Sequence, residues 1–550
     1  MATSKAPQPV EQHQDEMQAV EPPKATAPGV PEIRYPDFLL ASILYLALLL
    51  AMFLVALDMS IIATAIPTIT KQFHAVDQVG WYGSAFFMTL AAFQSFWGKA
   101  YKYFPLKVVF LLCIGLFEVG SLIVAVAENS VTVIAGRAVQ GLGGAGVTGG
   151  CYTICAFITR PRLLATMLGM FSVVWSCSSV LGPVLGGVFT QDVSWRWCFW
   201  VNLPVGGTTM IIILLFFKTP PHSRVASTTW REVPVLFDLP GIVALLGSLI
   251  CLLVALEDGG VTKPWNNSVP IGTLIGFGLL AILFVFIEWK QGERAMIVPR
   301  IMRRRTIYTL ALFNVCAQGG GFARTYNLPD YFQAAQGVSA SESGIRTLPT
   351  VLTVSIFSLA GSILLGKVGY YQPFLWVGAT FMTVGAGMIY SLVPSSPAAH
   401  YIGYQVLAGI GTGLVIQLPV IVGQAIAQRS DMAVTIAISL FYQFIGGTIG
   451  VSVAQNIQNH VLINSLPTNN PNITAAKVME AGSTGLRLSF PDPADLQIVV
   501  NAYMSGLRAA WIWTIALCGL AFLISFTTEW KSIKPEDLKK KAEKKAVDGA

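Results

Sequence analysis

The sequence predicts an all-α protein that crosses a membrane many times, and three observations carry this prediction. Of its 550 residues, 54% are hydrophobic and only 11% are charged, whereas about a quarter of the residues of soluble proteins are charged. Many apolar runs reach the roughly 20 residues that a helix needs to cross a bilayer. Lys and Arg residues are concentrated between those runs and at the C-terminal end. A soluble fold of this size is excluded because the charged surface it needs is missing.

Apolar runs along the chain predict fourteen membrane helices. A polar, Pro- and Gln-rich segment, residues 1–37, precedes them as an expected disordered cytosolic tail, and a Lys-rich cytosolic tail, residues 531–550, follows them. The runs occupy residues 38–67, 79–98, 107–127, 131–157, 164–190, 198–217, 237–257, 270–289, 306–328, 343–365, 373–393, 401–425, 433–456 and 506–528.

An internal repeat predicts how these helices are grouped. Three sets of residues recur at one constant offset: Gly98-Lys99 as Gly366-Lys367, Gly141 and Gly143 as Gly409 and Gly411, and Gly182 as Gly450. An even number of spans separates equivalent points, so the two halves run parallel, which is a plan used by transporters. We therefore expect a six-helix bundle at 38–218, two inserted helices and a basic cytosolic loop at 219–305, and a second six-helix bundle at 306–530 with an extracellular loop at 457–505.

The placement of basic residues predicts the orientation in the membrane. With both termini in the cytosol, the short outer loops contain only Lys71, Arg196 and Lys263, and the inner loops contain the other Lys and Arg residues of the short connections. The same orientation places two N-glycosylation acceptor sequences outside, at Asn266 and Asn472. We expect a multi-pass protein with cytosolic tails, in which these two sites are candidates for glycosylation.

Several motifs carry a resemblance to a known family. The residues concerned are Leu57–Pro67 in the first span, Arg137–Ala145 in the fourth, Gly182–Gly187 in the fifth, and Ser194–Trp197 with Asn202–Pro204. With these motifs the sequence resembles the major facilitator superfamily and, within it, the fourteen-span drug:proton antiporters of fungi. The resemblance implies an antiporter motif at Gly182, Pro183, Gly186 and Gly187, and a helix-packing motif at Gln140, Gly141, Gly143 and Ala145.

The sequence also departs from the family at three places, the first being Ser178, which replaces the usual earlier Gly of the fifth-span motif. Between the second and third spans the superfamily usually has an Asp-Arg pair, and the resemblance implies a cytosolic gate there, formed by Gly98, Lys99 and Lys102 in this chain. Lys102 occupies the place of the acid, so the charge lock attributed to that acid does not transfer. The ninth span is more polar than the family implies, with Arg324, Asn327 and Asp330.

Three ionisable residues deep inside predicted spans are candidates for proton coupling. Charged groups at that depth cost at least about 2.5–3.5 kcal/mol, so Asp58, Glu118 and Arg137 are functional hypotheses. We expect Asp58 to be the proton-responsive acid, Arg137 its tuner and Glu118 the second candidate acid. The alternative is a fixed buried ion pair that only holds helices together. None of the five histidines lies in the middle of a predicted span, which argues against a histidine relay.

The function that these observations predict is proton-coupled export of small, largely apolar organic compounds by alternating access. The expected partners are substrate, protons and the lipid bilayer, with no cofactor, no metal and no nucleic acid, and with the protein acting as a monomer. The resemblance favours the plasma membrane, with the vacuolar membrane as alternative. Uptake of a siderophore or nutrient and a transporter-like receptor remain alternative functions. An enzyme is not expected, since no soluble segment exceeds the 457–505 loop and the histidines form no catalytic pattern.

Overall fold

Helices make up nearly all of the chain in the computed structural model, which describes residues 35–75, 78–219, 236–467, 470–534 and 537. The predicted tails at 1–37 and 531–550 fall largely outside these residues. Backbone groups have no water to bind in a bilayer, so each apolar run satisfies them internally by forming a helix. The helices are α1 Phe38–Phe73, α2 Val79–Ala92, α3 Gln94–Tyr103, α4 Leu106–Ala125, α5 Ser130–Ile158, α6 Pro161–Val188, α7 Trp197–Trp200, α8 Asn202–Phe216, α9 Leu239–Asp258, α10 Ser268–Gln291, α11 Pro299–Met302, α12 Arg305–Asp330, α13 Ala340–Val368, α14 Gln372–Tyr390, α15 Ala398–Val415, α16 Leu418–Ile426, α17 Met432–Asn464, α18 Ala475–Ser489 and α19 Pro493–Ser525.

All fourteen predicted runs coincide with these helices, and the all-helical membrane fold is confirmed. Among the described residues, twelve helices are long and apolar enough to cross a bilayer. The two remaining runs correspond to the α2–α3 pair, which is interrupted at Phe93, and to α12, whose polar residues lower its hydropathy.

Side chains at the helix ends explain where several helices begin and end. Asn129 caps α5 by accepting a hydrogen bond from Thr132 N at 2.8 Å. Ser339 Oγ accepts from Glu342 N at the start of α13, in the Ser-x-x-Glu spacing that is typical of helix starts. At the other end of α13, Gly369 has a φ of +83°, a conformation that favours glycine and stops the helix.

The predicted loop at 457–505 is shorter than expected, which is a correction to the sequence analysis. Helix α17 continues to Asn464 and α19 starts at Pro493, so the connection covers residues 465–492 and contains α18. Val478 and Leu486 of α18 are buried in an apolar cluster with Ala334, which lies just after α12, and with residues of α19. These buried side chains stabilise a helix in a segment that hydropathy assigns to a polar loop.

The internal repeat corresponds to equivalent helix contacts in the two halves. Glycine lets two backbones approach closely. Three of the repeated glycine pairs pack closely against equivalent helices, whereas Gly366, the counterpart of Gly98, makes only an ordinary contact. Gly141 lies against α2 and Gly409 against α13, Gly143 against α4 and Gly411 against α14, and Gly182 against α1 and Gly450 against α12. The offset in the sequence therefore marks two bundles that are built in the same way.

The two inserted helices lie beside both bundles. Apolar residues of α9, among them Ile242 and Leu249, share one cluster with Met88 of α2 and Phe441 of α17. Helix α10 packs on α9 and is otherwise exposed. Only 6% of its most apolar 18-residue stretch is buried inside the protein. The insertion therefore contacts both halves through α9, whereas α10 presents an apolar surface suited to lipid.

Candidate functional site

Asp58 and Arg137 contact each other in the centre of the N-terminal bundle. Arg137 Nη1 donates a hydrogen bond to Asp58 Oδ2, and neither side chain has exposed surface. Gln140 Nε2 donates to Asp58 Oδ1 at 2.9 Å, and Asn202 Nδ2 donates to the same oxygen at 3.2 Å. Ser121 Oγ accepts hydrogen bonds from these two amides, at 2.8 and 3.1 Å. The carboxylate is thus held by three donors from α5 and α8.

Arg137 also has partners besides the acid. Its Nε donates to the carbonyl of Tyr82 in α2 at 3.0 Å, and its Nη1 donates to Gln140 Oε1 at 3.0 Å. The guanidinium carbon lies 4.4 Å from the centre of the Phe86 ring, within the range of a cation–π interaction. The guanidinium therefore has partners besides the carboxylate, and one of them, Gln140, also binds Asp58.

Glu118, the second candidate acid, lies on α4 one turn before Ser121. Both of its carboxylate oxygens are buried and have no hydrogen-bond partner among the described residues. They rest against Gly206 of α8, where a Cβ atom would lie only 1.8 Å from Oε1. Glu118 is within electrostatic range of Asp58. The two acids therefore lie in the same buried region, and Asp58 is the one that pairs with Arg137.

The packing motif on α5 gives that helix two close contact faces. A Cβ atom on Gly141 would lie 2.3 Å from the carbonyl oxygen of Phe86 in α2, and one on Gly143 would lie 2.4 Å from the amide nitrogen of Phe117 in α4. Ala145 is fully buried on the same helix. Close packing on both sides fixes α5, and with it the position of Arg137.

In the antiporter motif, Gly182 and Gly186 contact α1, the helix that carries Asp58. A Cβ atom on Gly182 would lie 2.1 Å from Ser60 Oγ, and one on Gly186 would lie 2.8 Å from the carbonyl oxygen of Ile61. Gly187 differs, since a Cβ atom there meets nothing within 4 Å. Helix α6 continues through Pro183 and ends five residues later, where a π-helical turn, Phe189–Val193, follows.

The predicted gate residues lie at the end of the molecule that carries Lys102, Arg300, Lys367 and Arg429, which we call the basic end. Lys102 Nζ forms an ion pair with Asp431 Oδ1 at 3.1 Å, and this contact joins the N-terminal bundle to the start of α17. Arg300 Nη2 lies 2.9 Å from the other oxygen of Asp431. Hydrogen bonds to Glu293 and Asp431 raise the pKa of Arg300 above its ordinary value. An ion pair therefore joins the two bundles at this place, with the cation on the N-terminal bundle.

The other two gate residues have different roles. Gly98 packs against α17, where a Cβ atom would lie 2.3 Å from Ala437 Cβ. Lys99, which the sequence analysis placed in a loop, is in α3 and only 3% exposed. Its Nζ donates to the carbonyls of Leu236 and Arg294, which flank the inserted helices. Lys99 therefore anchors the insertion, and Gly98 and Lys102 hold the two bundles together.

Further contacts close the interface between the bundles on the basic side. Gln417, at the break between α15 and α16, donates to Tyr152 Oη at 3.1 Å and to Ser172 Oγ at 2.6 Å, so it joins the C-terminal bundle to α5 and α6. A Cβ atom on Gly169 of α6 would lie 3.0 Å from Ser362 of α13. The described structure is thus closed at the basic end.

The two glycosylation candidates are both exposed at the opposite end. Asn266 lies two residues before α10, and Asn472 lies in the connection between α17 and α18. Among the described residues, no group of three or more His, Cys, Asp or Glu side chains is arranged to hold a metal ion.

Sequence reasoning missed several members of the buried network. Ser121 and Asn202 complete the surroundings of Asp58, and the partner of Lys102 is Asp431, far along the chain. Asn202 lies in a family motif and Ser121 lies one turn from Glu118, so their positions in the sequence could have pointed to both residues. Nothing in the sequence indicated Asp431.

Comparison with known proteins identifies the family. The model of the major facilitator superfamily matches residues 48–451. The chain belongs to the major facilitator superfamily. This major facilitator protein is 42% identical over 503 residues to an MFS-type transporter of Pestalotiopsis microspora, covering 91% of this chain and 92% of the relative. It is 39% identical to the MFS-type efflux pump MFS1 of Trichophyton rubrum, over 90% of this chain and 92% of that protein. It is 38% identical to the dehydrocurvularin exporter of Alternaria cinerariae, over 90% and 85% of the two chains.

A solved structure supports the same fold. The proton:xylose symporter XylE superposes with a TM-score of 0.59 at 13% identity and covers 91% of this chain and 98% of its own. This major facilitator protein is therefore a multi-pass membrane transporter of small molecules and not an enzyme.

Proposed function

We propose that this protein exports small, largely apolar organic compounds across the plasma membrane in exchange for protons, with both termini in the cytosol. The observation that carries the proposal is the buried Asp58–Arg137 pair with the partnerless Glu118 beside it. Relatives that are named an efflux pump and a dehydrocurvularin exporter support the direction of transport and the class of substrate.

Charge balance supports proton coupling at this site. One guanidinium neutralises one carboxylate, so two charged acids would leave an uncompensated negative charge within the bundle. Burying such a charge is costly in a membrane, and Glu118 has no donor to offset the cost. A proton on one of the two acids removes the excess charge. The cluster is therefore suited to holding a proton in one state and releasing it in another.

The position of Asp58 links this proton to movement of the bundles. Asp58 is two residues before Ser60 on α1, and Ser60 and Ile61 contact the glycine face of α6. Helix α6 in turn lies against α13 of the other bundle, through Gly169. A change in the tilt of α1 therefore reaches the interface that closes the basic end through one intervening helix, α6.

The energy that one proton supplies is sufficient for export. One charge moved across 100 mV gives about 2.3 kcal/mol, and one pH unit adds about 1.4 kcal/mol. The sum, about 3.7 kcal/mol, supports a substrate gradient of roughly 500-fold for each proton exchanged.

The test is export of hydrophobic fluorescent dyes from proteoliposomes with an imposed pH gradient, first selecting a dye that the wild type exports. We expect Asp58→Asn to lose proton-driven accumulation, because the site can no longer change its charge. Glu118→Gln is measured in the same way. Glu128→Gln is the matched control, since it makes the same change at an exposed position of the same bundle.

Undiminished proton-driven export by Asp58→Asn and by Glu118→Gln would remove this cluster from the mechanism. Assays in cells separate the alternative functions. An exporter lowers the internal substrate concentration until a protonophore collapses the gradient, an uptake carrier raises it, and a receptor changes nothing.

A further inference from the structure

The C-terminal bundle contains a second buried arginine whose surroundings differ from those of Arg137. Arg324 of α12 is 2% exposed. Its Nη2 donates to Thr412 Oγ1 of α15 at 2.9 Å, but its Nε and Nη1 atoms are buried without a hydrogen-bond partner. No ion pair among the described residues includes Arg324. Its full positive charge is therefore uncompensated by any carboxylate of the described chain.

Two further buried side chains, one on α12 and one on α19, also have donors without acceptors. Asn327 follows Arg324 by three positions on the same helix, so the two side chains lie on the same face. It is 1% exposed, and neither Nδ2 nor Oδ1 has a partner. Trp511 of α19 is also 1% exposed with an unpartnered Nε1, and its ring packs 5.9 Å from that of Tyr331, one turn beyond Asn327. The interface between α12 and α19 thus has more free donors than acceptors.

These unpaired donors would destabilise the fold if the cluster had only a structural role. A buried donor without an acceptor is destabilising, and an unpaired buried charge is more so. At Arg137 the chain supplies Asp58, whereas at Arg324 the neighbouring ionisable group is the thiol of Cys518. A buried guanidinium with free N–H groups of its own, one helical turn from an unpartnered amide, provides the charge and the donors that bind anions.

We propose that Arg324 and Asn327 form an anion-binding site inside the C-terminal bundle. The ligand is a small anion, which is either an inorganic halide that resides there or the carboxylate of a transported compound. The site does not include Asp58, so this proposal can be tested separately from proton-coupled export.

Thermal unfolding of the full-length protein in lipid nanodiscs tests the proposal, because a ligand that binds only the folded state raises Tm. Chloride is compared with gluconate at equal ionic strength, and salicylate is compared with its neutral amide, salicylamide. We expect chloride or salicylate to raise the Tm of the wild type by about 2 °C or more. A response to chloride indicates a resident halide, and a response to salicylate alone indicates a substrate carboxylate.

Three variants assign the response to this site. Arg324→Gln is expected to lose the anion-dependent shift, and Arg508→Gln, which removes an exposed charge from α19, is expected to keep it. Asn327→Asp places a carboxylate beside the guanidinium, so it is expected to raise the Tm in gluconate and to abolish the response to added anion. This variant gains stability and therefore remains informative even where Arg324→Gln does not fold.

Asp58→Asn is expected to retain the anion response, which separates this proposal from the proton mechanism. An equal Tm of the wild type in chloride, gluconate and salicylate would overturn the proposal, as would a shift that persists in Asn327→Asp.

Discussion

Reversing the charge of Lys102 is expected to open the basic end of the transporter. The Lys102–Asp431 ion pair joins the two bundles directly, and Asp431 is only 5% exposed on its side chain. Because the pair joins the two bundles, we expect it to break when the basic end opens. Lys102→Asp removes this attraction and places two carboxylates together, so the closed state alone loses free energy.

The size of the effect follows from the burial of the pair. Hydrogen bonds to charged groups contribute about 1.5–3 kcal/mol, and the 17% exposure of Lys102 favours the lower part of that range. With some repulsion added, a loss of about 2 kcal/mol is expected for the closed state. That loss corresponds to an increase of about 30-fold in the ratio of open to closed molecules.

The assay is the alkylation rate of a cysteine at position 362, introduced as Ser362→Cys. Ser362 is 3% exposed because α13 lies against α6 at the basic end. Its modification in nanodiscs therefore requires the bundles to separate, and the rate follows the open population when opening is fast. The more accessible native thiols, Cys177 and Cys251, are replaced by serine beforehand.

Two comparisons make the assay decisive. Lys107→Asp makes the same charge change in a residue that donates to Leu214 within the N-terminal bundle, so its rate should match the parent. The combination of Lys102→Asp with Asp431→Lys exchanges the two charges, and Arg300→Gln removes the second cation near position 431. This triple variant should restore slow alkylation. Equal rates for Lys102→Asp and Lys107→Asp would refute the reasoning.

The remaining predictions concern the glycine contact and glycosylation. Gly186→Leu is expected to abolish dye export while the protein still reaches the membrane, because a side chain there collides with α1; Gly187→Leu, which faces open space, is expected to export normally. Equal export by the two variants, measured at equal surface expression, would contradict the close-contact role. If the outward orientation is right, glycosidase treatment should shift the wild type on a gel, and combining Asn266→Gln with Asn472→Gln should abolish the shift. A wild type that never shifts would count against glycosylation at both sites.

The fold was largely predictable from the sequence because the bilayer leaves few solutions. Apolar runs of sufficient length must form helices, and each of the fourteen runs does. The offset between equivalent glycines, such as Gly182 and Gly450, also revealed the repeat, because close helix contacts require a residue without a side chain. Hydropathy failed for residues 457–505, where buried residues such as Val478 stabilise helix in a segment of mixed polarity.

The candidate site was predictable only in part. Asp58, Glu118 and Arg137 stood out because ionisable residues in a membrane span are costly. In the structure Arg137 pairs with Asp58, and Glu118 is within electrostatic range of Asp58. Their environment depends on which helix faces lie against each other, and hydropathy carries no such information. For this reason the roles of Ser121 and Asn202 emerged only from the structure.

By itself, the sequence determined that this chain is a bundle of membrane helices with a twofold internal repeat and a few buried charges, since these properties follow from composition and local spacing. Only the tertiary structure decided which charges are compensated. Asp58 neutralises Arg137 and Asp431 neutralises Lys102, while no carboxylate in the described part of the chain forms an ion pair with Arg324. The physical reason is that electrostatic energy depends on distances between side chains on different helices, and packing alone sets those distances.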